Sequence, residues 1–583
     1  MRRIVILLLT VHAFMLTWSA WKHSPLVDEP AHLASGLSHW RRFSFDLYRV
    51  NPPLVRSVAA IPLLFIPHKM DWNSYSENPY KRAEFQVGTD LLNQNAKSYH
   101  FLLFLSRLFC LPFSLLGGWI CYCWGRDLFG KAAGLTALVL WCFSPMILAF
   151  GYTIMPDVAC ASLGITACYF FWKWLKNPCW NQSLLAGVLL GIAELAKFTL
   201  LVFYPLWLIA WIVAVVSQRK TITRASLFSQ SKQLISIFAV SAFVINMAYG
   251  FEGSLTPLKN YEFVSRTLCG DTKWNRDKGF TITGNRFRRS LWGEIPVPLP
   301  INYMMGIDVQ KKDFELGQPS YFWGEWRNNG WFLYYILGLL IKEPFGFWLL
   351  WIVSWGTIIF SKKFFSDAIS ELILILPVLV ILLLVSSQTK LNHHLRYAIP
   401  VLPFLFLECS RLAMAFRYHL RIFSIVIIGL STWSILSSLS FYPHSQGHFN
   451  CFIGSAENGS QYLLGSNVDW GQNMLYLSDW SRKHPNASPL KSYYETPYTN
   501  EHLNLPDHFI DYRSKPSQGP ESGWFAIGVN ELHGKSKQYE WLKQFKPVDM
   551  IGYSIYIYSI ALKDANRVRR EMSLPEIEET MNK

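Results

Sequence analysis

Long apolar runs recur along this chain, and they limit its fold more than any other feature. The first reads "IVILLLTVHAFMLTWSA" (4–20). About eleven such runs follow one another, at 4–20, 99–123, 131–150, 156–174, 183–197, 199–216, 233–250, 344–360, 369–387, 396–416 and 421–441. Many approach the ~20 residues that a helix needs to cross the hydrocarbon core of a bilayer. Within lipid, each backbone N–H and C=O must be paired inside the protein, so runs of this kind become helices. The chain is therefore predicted to be a polytopic α-helical membrane protein with about eleven transmembrane helices.

The gaps between runs carry a second signal. With the N-terminus in the cytoplasm, alternate gaps hold Arg126 and Lys131; Lys173 and Lys176; Arg219, Lys220, Arg224 and Lys232; Lys362 and Lys363; Arg417 and Arg421. Each is short and basic, as cytoplasmic loops are. The opposite gaps, 21–98, 151–155, 251–343, 388–395 and everything after 442, include three long ones and hold most of the acids. This topology also accounts for the net charge of +15, which in a soluble chain suggests nucleic acid. No nucleic-acid partner is expected here. Charged residues make up only 16% of the chain, against about 25% in a soluble one. The start resembles a signal peptide, but no small-x-small cleavage site precedes a soluble domain, so it reads as a retained first span. Several of the 10 cysteines (Cys110, Cys121, Cys123, Cys160, Cys168) sit inside apolar runs, and no CxxC pair occurs. Neither a zinc site nor a disulfide framework is indicated.

From 443 the composition changes. Turn-rich "HPNASPLKS" and "RSKPSQGPESG" flank strand-like "GWFAIGV" (523–529) and "MIGYSIYIYSIAL" (550–562), with a helix-like "KQYEWLKQFK" (537–546) between. The pattern predicts a membrane domain at 1–442, with large outer loops 21–98 and 251–343, and a small extracytoplasmic α/β domain at 443–583. The charged end, "KDANRVRREMSLPEIEETMNK", reads as a frayed tail.

Two stretches of the first outer loop carry candidate chemistry. In "VDEPAHLASGLSHW" (27–40), Asp28 and Glu29 follow the first span and His32 lies four residues after Asp28. One of the acids caps a short helix with Pro30 near its start, or serves as a base for a hydroxyl, and the two roles are compatible. In "YRVNPPLVRS" (48–57), Asn51 before Pro52 is extended and Pro53 opens a helix. That helix is expected to lie along the membrane with Arg56 facing the headgroup layer, where an arginine holds phosphate through its fork of donors.

An acid pair and histidine, then Asn51-Pro52-Pro53-Leu54 in the same loop, resemble the C-type glycosyltransferases of membranes. These include the protein O-mannosyltransferases and the lipid A aminoarabinose transferases. In the mannosyltransferases a His usually precedes the Pro-Pro pair and a Lys follows; here Asn51 and Arg56 stand instead. The resemblance continues in "YTIMPDVACASLGITACYFF" (152–171), where Asp157 opens a span. It continues also in "GIAELAKFTLLVFYPLW" (191–207), where Lys197 breaks two spans, and in "KLNHHLRYAIPVLPFLF" (390–406), with Arg396. "SNVDWGQNMLYLSDW" (466–480) and "GYSIYIYSI" (552–560) are similar to a bacterial branch with an added external domain.

The resemblance implies a C-type glycosyltransferase fold in the cell's inner (plasma) membrane, and an inverting transferase whose donor is a sugar on a polyprenyl phosphate. The acceptor is a lipid, glycan or protein hydroxyl. Asp28 is the expected base, with Glu29 and Asp157 supporting the acceptor. Arg56, Lys197 and Arg396 are expected to bind the donor phosphate, and His32, Asn51 and Glu325 to position substrate. No metal-ligand spacing is seen, and basic side chains can neutralise a phosphate leaving group without a metal cofactor. Two other readings share the cationic lipid-facing site: a transporter or flippase of lipid-linked precursors, and an oligosaccharide ligase or polymerase. Transporters usually show repeat symmetry and broken helices at matching places, and the sequence has no such repeat.

Overall fold

The computed structural model describes residues 1–78, 81–217, 222–270, 284–454, 456–498, 502–503, 509–512 and 518–578. The first apolar run forms α1 (Arg2–Lys22). Its one buried histidine, His12, is paired through Nε2 with Ser114 Oγ (2.9 Å) and through Nδ1 with the Cys142 carbonyl (3.0 Å). A polar group inside an apolar helix is thus satisfied by the helices beside it.

The chain between α1 and the next span folds into α2 (Glu29–Arg41), α3 (Leu54–Ala60) and α4 (Ala83–Gln94). α2 and α3 touch backbone to backbone at Gly36, where a Cβ would stand 2.1 Å from the Arg56 carbonyl oxygen. The long α5 (Tyr99–Phe129) follows. The run 131–150 is two helices, α6 (Lys131–Phe143) and α7 (Pro145–Phe150), because Pro145 cannot continue α6. Ser144 caps the second piece, accepting from the Ile147 N–H at 3.3 Å. Next come α8 (Pro156–Lys176), α9 (Trp180–Glu194), α10 (Phe203–Ser217) and α11 (Arg224–Ala248).

The long loop after α11 contains α12 (Ile301–Leu316) and a hairpin of β1 (Ser320–Phe322) and β2 (Glu325–Arg327). The end of this loop is helical as well: α13 (Tyr334–Lys342) bends by 113° into α14 (Phe345–Phe360), with Pro344 at the break. α15 (Ala368–Ser387), α16 (Leu402–Ser410) and α17 (Arg421–Leu439) complete the bundle. Among the described residues, eight helices are long and apolar enough to cross a membrane, and nine if the bent pair counts as one span. The chain is a predominantly helical multi-pass membrane protein with a small sheet domain at its C-terminal end.

The basic ends meet acids at one end of the bundle. Lys173 lies 3.8 Å from Asp127, and Lys176 lies 2.6 Å from Asp367. Asp157 starts α8 and these lysines end it, so they are separated by the length of the helix, about 30 Å for 21 residues. Arg219 and Lys220 lie outside the described residues.

The C-terminal domain has one five-stranded sheet in the order β4-β3-β5-β7-β6. Its strands are β3 (Leu490–Tyr493), β4 (Phe509–Asp511), β5 (Gly523–Gly528), β6 (Asp549–Ile551) and β7 (Ile555–Ile560). β3 runs parallel to β4 and β5, whereas β7 is antiparallel to β5 and β6. Residues 525–528 of β5 are all buried, as expected for a strand covered on both faces. α18 (Met474–Lys483) precedes the sheet and α19 (Leu562–Glu571) follows it. α19 corrects the expectation of a frayed tail. Ala565 and Val568 are buried on one side of it, and Arg569 donates to the Gln518 and Pro520 carbonyls. "KQYEWLKQFK" is only a short 3-10 turn at Glu540–Gln544.

Candidate active site

The first span ends at Lys22, and the extended chain after it runs against the C-terminal domain. Ser24 N–H donates to the Gln472 carbonyl and Val27 N–H to the Trp470 carbonyl, both at 3.1 Å. Asp28 then stands at the N-cap of α2, yet makes no side-chain cap hydrogen bond there. Its carboxylate turns instead toward Arg396 Nη2 at 3.4 Å. Arg396 Nε lies 3.4 Å from Asp157 Oδ2, and Asp157 Oδ1 accepts from Lys197 Nζ. Four side chains from four distant segments thus form one alternating line, Asp28, Arg396, Asp157 and Lys197. Burial pushes the Asp28 carboxyl above its ordinary value of 3.8, and Asp157 adds to this, while Arg396 and Arg82 oppose it.

Each position follows from local structure. Asp157 is in the first turn of α8, where the helix dipole favours an acid. Lys197 is extended between α9 and the turn Phe198–Val202, because the apolar run stops being helix at Glu194. Arg396 lies in a 3-10 stretch, Leu395–Val401, whose first N–H donates to Asn467 Oδ1 at 2.8 Å. Arg396 is 5% exposed; its Nη1 and Nε have no hydrogen-bond partner among the described residues, Nε keeping only the 3.4 Å ionic contact to Asp157.

Beside this line opens a cavity of about 440 Å³, lined by apolar side chains such as Leu201, Val202, Phe314, Leu384 and Val385, by Lys197 and Tyr397, and also by Gln310, Lys311 and Gln388. Lys197 Nζ sits 4.2 Å from the Tyr397 ring centre. The walls are mostly apolar, and two lysines, Lys197 and Lys311, are part of them.

The other expected residues do not join this line, although His32 lies close to its cations. Glu29 is fully buried and is held by Arg107, whose Nε and Nη2 reach its two oxygens at 3.0 and 2.5 Å. The Leu26 and Ile154 N–H groups also donate to it, so it belongs to the scaffold beneath the site rather than to the cavity wall. Arg56 does not face the headgroup layer: it is 2% exposed, and it donates to the Tyr48 carbonyl at 2.6 Å and the Pro52 carbonyl at 3.2 Å. Its donors hold the loop that the two prolines turn. His32 is buried against the Tyr48 ring, with its Nε2 unpaired among the described residues. Burial holds it well below 6.5, and the nearby Arg56 and Arg396 push it further down, so it is neutral. Asn51 is half-buried in the bend before Pro52. Glu325 is exposed on β2 and pairs with Arg327 at 3.0 Å. Its hairpin packs on the C-terminal domain, where Trp326 Nε1 donates to the His533 carbonyl.

The sequence reading missed Tyr397, Trp470 and Arg107. Tyr397 directly follows Arg396, and Trp470 lies in the "VDWGQ" turn. Arg107 carried the clearest unused signal: an arginine inside an apolar run needs a partner, and Glu29 is that partner.

Residues 99–247, from α5 to α11, match the family described as dolichyl-phosphate-mannose-protein mannosyltransferase. The matched stretch contains Asp157 and Lys197 and agrees with the resemblance to C-type glycosyltransferases read from the motifs around them. No curated protein sequence matches this chain. Among solved structures, it is similar to ArnT from Cupriavidus metallidurans in the apo state, with a TM-score of 0.46 and 11% identity over 95% of this chain and 97% of that one. The same protein bound to undecaprenyl phosphate gives a TM-score of 0.44 and 10% identity over the same shares.

Proposed function

We propose that this protein is a membrane glycosyltransferase that moves a sugar from a polyprenyl phosphate to an acceptor hydroxyl at the outer face of the membrane, with inversion. The observation that carries the reading is the largely apolar cavity that Lys197, Lys311 and Tyr397 help to line, with Arg396, the neighbour of Tyr397, keeping an unpaired donor. An isoprenoid tail suits the apolar walls, and a phosphate suits the lysines among them. The match of residues 99–247 to a dolichyl-phosphate-mannose-dependent family supports the same donor class.

Distances separate the arginine that can take a ligand from those that cannot. Charge-assisted contacts to a carboxylate usually measure about 2.7–2.9 Å. Arg107 meets Glu29 at 2.5–3.0 Å, whereas Arg396 keeps 3.4 Å from both of its acids. Arg396 is therefore the one that can exchange a loose carboxylate contact for a phosphate oxygen.

In the proposed reaction the acceptor oxygen attacks the anomeric carbon on the side away from the phosphate. The bond from that carbon to the phosphate oxygen breaks, and its electron pair leaves with the polyprenyl phosphate. Asp28 takes the hydroxyl proton. Arg396 and Lys197 offset the charge that develops on the leaving phosphate, and Asp157 holds both cations in place. One displacement with one base inverts the anomeric centre. Glu29, tied to Arg107 and Leu26, sets the turn that presents Asp28.

The test is transfer by the purified protein from a panel of radiolabelled polyprenyl-phosphate sugars, with the product identified by mass. A glycosylated acceptor is the expected result. Labelled lipid that crosses a vesicle bilayer without sugar transfer would replace this reading with a transporter.

A further inference from the structure

We propose that Trp470, which comes from the external domain, is a positioning residue for Arg396. This rests on the donor-binding role given to Arg396 above. The Arg396 guanidinium carbon lies 3.7 Å from the Trp470 ring centre, and Trp470 is 6% exposed. An indole at that distance attracts the cation and covers one face of the planar group. The guanidinium edge then remains for Asp28, Asp157 and the unpaired Nη1, which is the donor left for phosphate.

Trp470 itself is held from several directions. Its N–H donates to Gln472 Oε1 at 2.7 Å, and Gln472 Nε2 donates to the Val468 carbonyl at 2.8 Å. Gly471 closes this loop at φ +91°, a conformation that side chains disfavour, and a Cβ there would meet the Pro25 oxygen at 3.2 Å. The loop grips both halves of the site. On one side Asn467 accepts from the Leu395 N–H at 2.8 Å and donates to the His393 carbonyl at 3.0 Å, just before Arg396. On the other, Ser24 Oγ donates to the Gly471 carbonyl at 2.7 Å and accepts from the Met474 N–H at 2.9 Å, just before Asp28. One external loop therefore sets where the base and the phosphate-binding cation stand relative to each other.

The test uses the full-length protein in nanodiscs and measures donor KM, kcat, thermal stability and binding of a polyprenyl phosphate without sugar. Trp470→Leu should raise donor KM and weaken polyprenyl phosphate binding by roughly fivefold to thirtyfold. Trp470→Phe, which keeps a weaker ring, should raise KM by about threefold. In an Arg396→Ala background, Trp470→Leu should add nothing further, because its only route to the phosphate has gone. Wild-type KM in Trp470→Leu overturns the proposal, and so does an equal further loss on top of Arg396→Ala. If Trp470→Leu does not fold, Trp470→Phe decides: a raised KM supports the proposal and an unchanged one overturns it. If Arg396→Ala alone binds polyprenyl phosphate normally, the donor-site reading itself has failed.

Discussion

Glu29 meets four donors, two from Arg107 and one each from the Leu26 and Ile154 N–H groups, while Asp28 beside it keeps a 3.4 Å contact to Arg396. A carboxylate with all its lone pairs taken cannot accept a proton from substrate without losing a partner, so these neighbours predict different variants. Asp28→Asn removes no cap bond, so thermal stability should hold while transfer falls by roughly a hundredfold to ten-thousandfold, as for loss of a general base. Normal transfer by Asp28→Asn would remove it as the base. The pH profile belongs to the same carboxyl. It works only when ionised, and burial raises it, so transfer should fall on the acid side at a pH above 3.8, the ordinary aspartate value. An acid limb at or below that value would contradict the assignment. Asp469 gives a stability prediction of its own. Burial pushes its carboxyl up to about 7. The folded state then holds a proton that the unfolded state releases above its lower pKa, so stability is present at low pH and is lost as pH rises toward 7. Asp469→Asn should therefore raise the melting temperature at pH 8 more than at pH 5, which a pair of thermal scans checks.

α2 and α3 are held together by backbone contact at Gly36 and by Trp40 Nε1 donating to the Ser57 carbonyl at 2.8 Å, while Arg56 ties the loop that leads into α3. Gly36→Ala places a methyl group 2.1 Å from the Arg56 carbonyl, which forces the two helices apart. Overpacking of this kind costs about 1–3 kcal/mol, so the variant should melt earlier, and its transfer should fall because Asp28 starts the same helix. Arg56→Ala should also lower the melting temperature, because the buried Tyr48 and Pro52 carbonyls lose their donors, at about 1–3 kcal/mol. Its donor KM should stay near the wild-type value, in contrast to Arg396→Ala. A raised KM with unchanged stability in Arg56→Ala would return Arg56 to the phosphate site.

The native cysteines report on the topology of the whole molecule. Cys179, between α8 and α9, and Cys451, in the chain after α17, are both exposed. Positive-inside counting puts Cys179 in the cytoplasm beside Lys173 and Lys176, and Cys451 on the other side with the external domain. An impermeant thiol reagent should label Cys451 in intact cells and Cys179 only after permeabilisation. The reverse pattern would invert the orientation and place the site on the cytoplasmic face.

Apolar runs near bilayer length leave helix as the way to pair the backbone, so the polytopic class was legible along the chain, as were Asp157 at a helix start and Lys197 at a break. Helix count was less legible. Pro145 splits one run and Pro344 bends another, and hydropathy does not register a break that leaves the composition unchanged. The line from Asp28 to Lys197 needed the tertiary structure, because Arg396 lies 368 positions from Asp28 in the chain. Sequence marks which residues are charged; only packing decides which charges are spent. Arg107 and Arg56 looked no different from Arg396 as letters, but one closes on Glu29 and one on backbone carbonyls. Arg56 also leaves its Nε unpaired, but Arg396 is the one of the three whose charged contacts are both loose, at 3.4 Å, and which adjoins Tyr397 of the cavity lining.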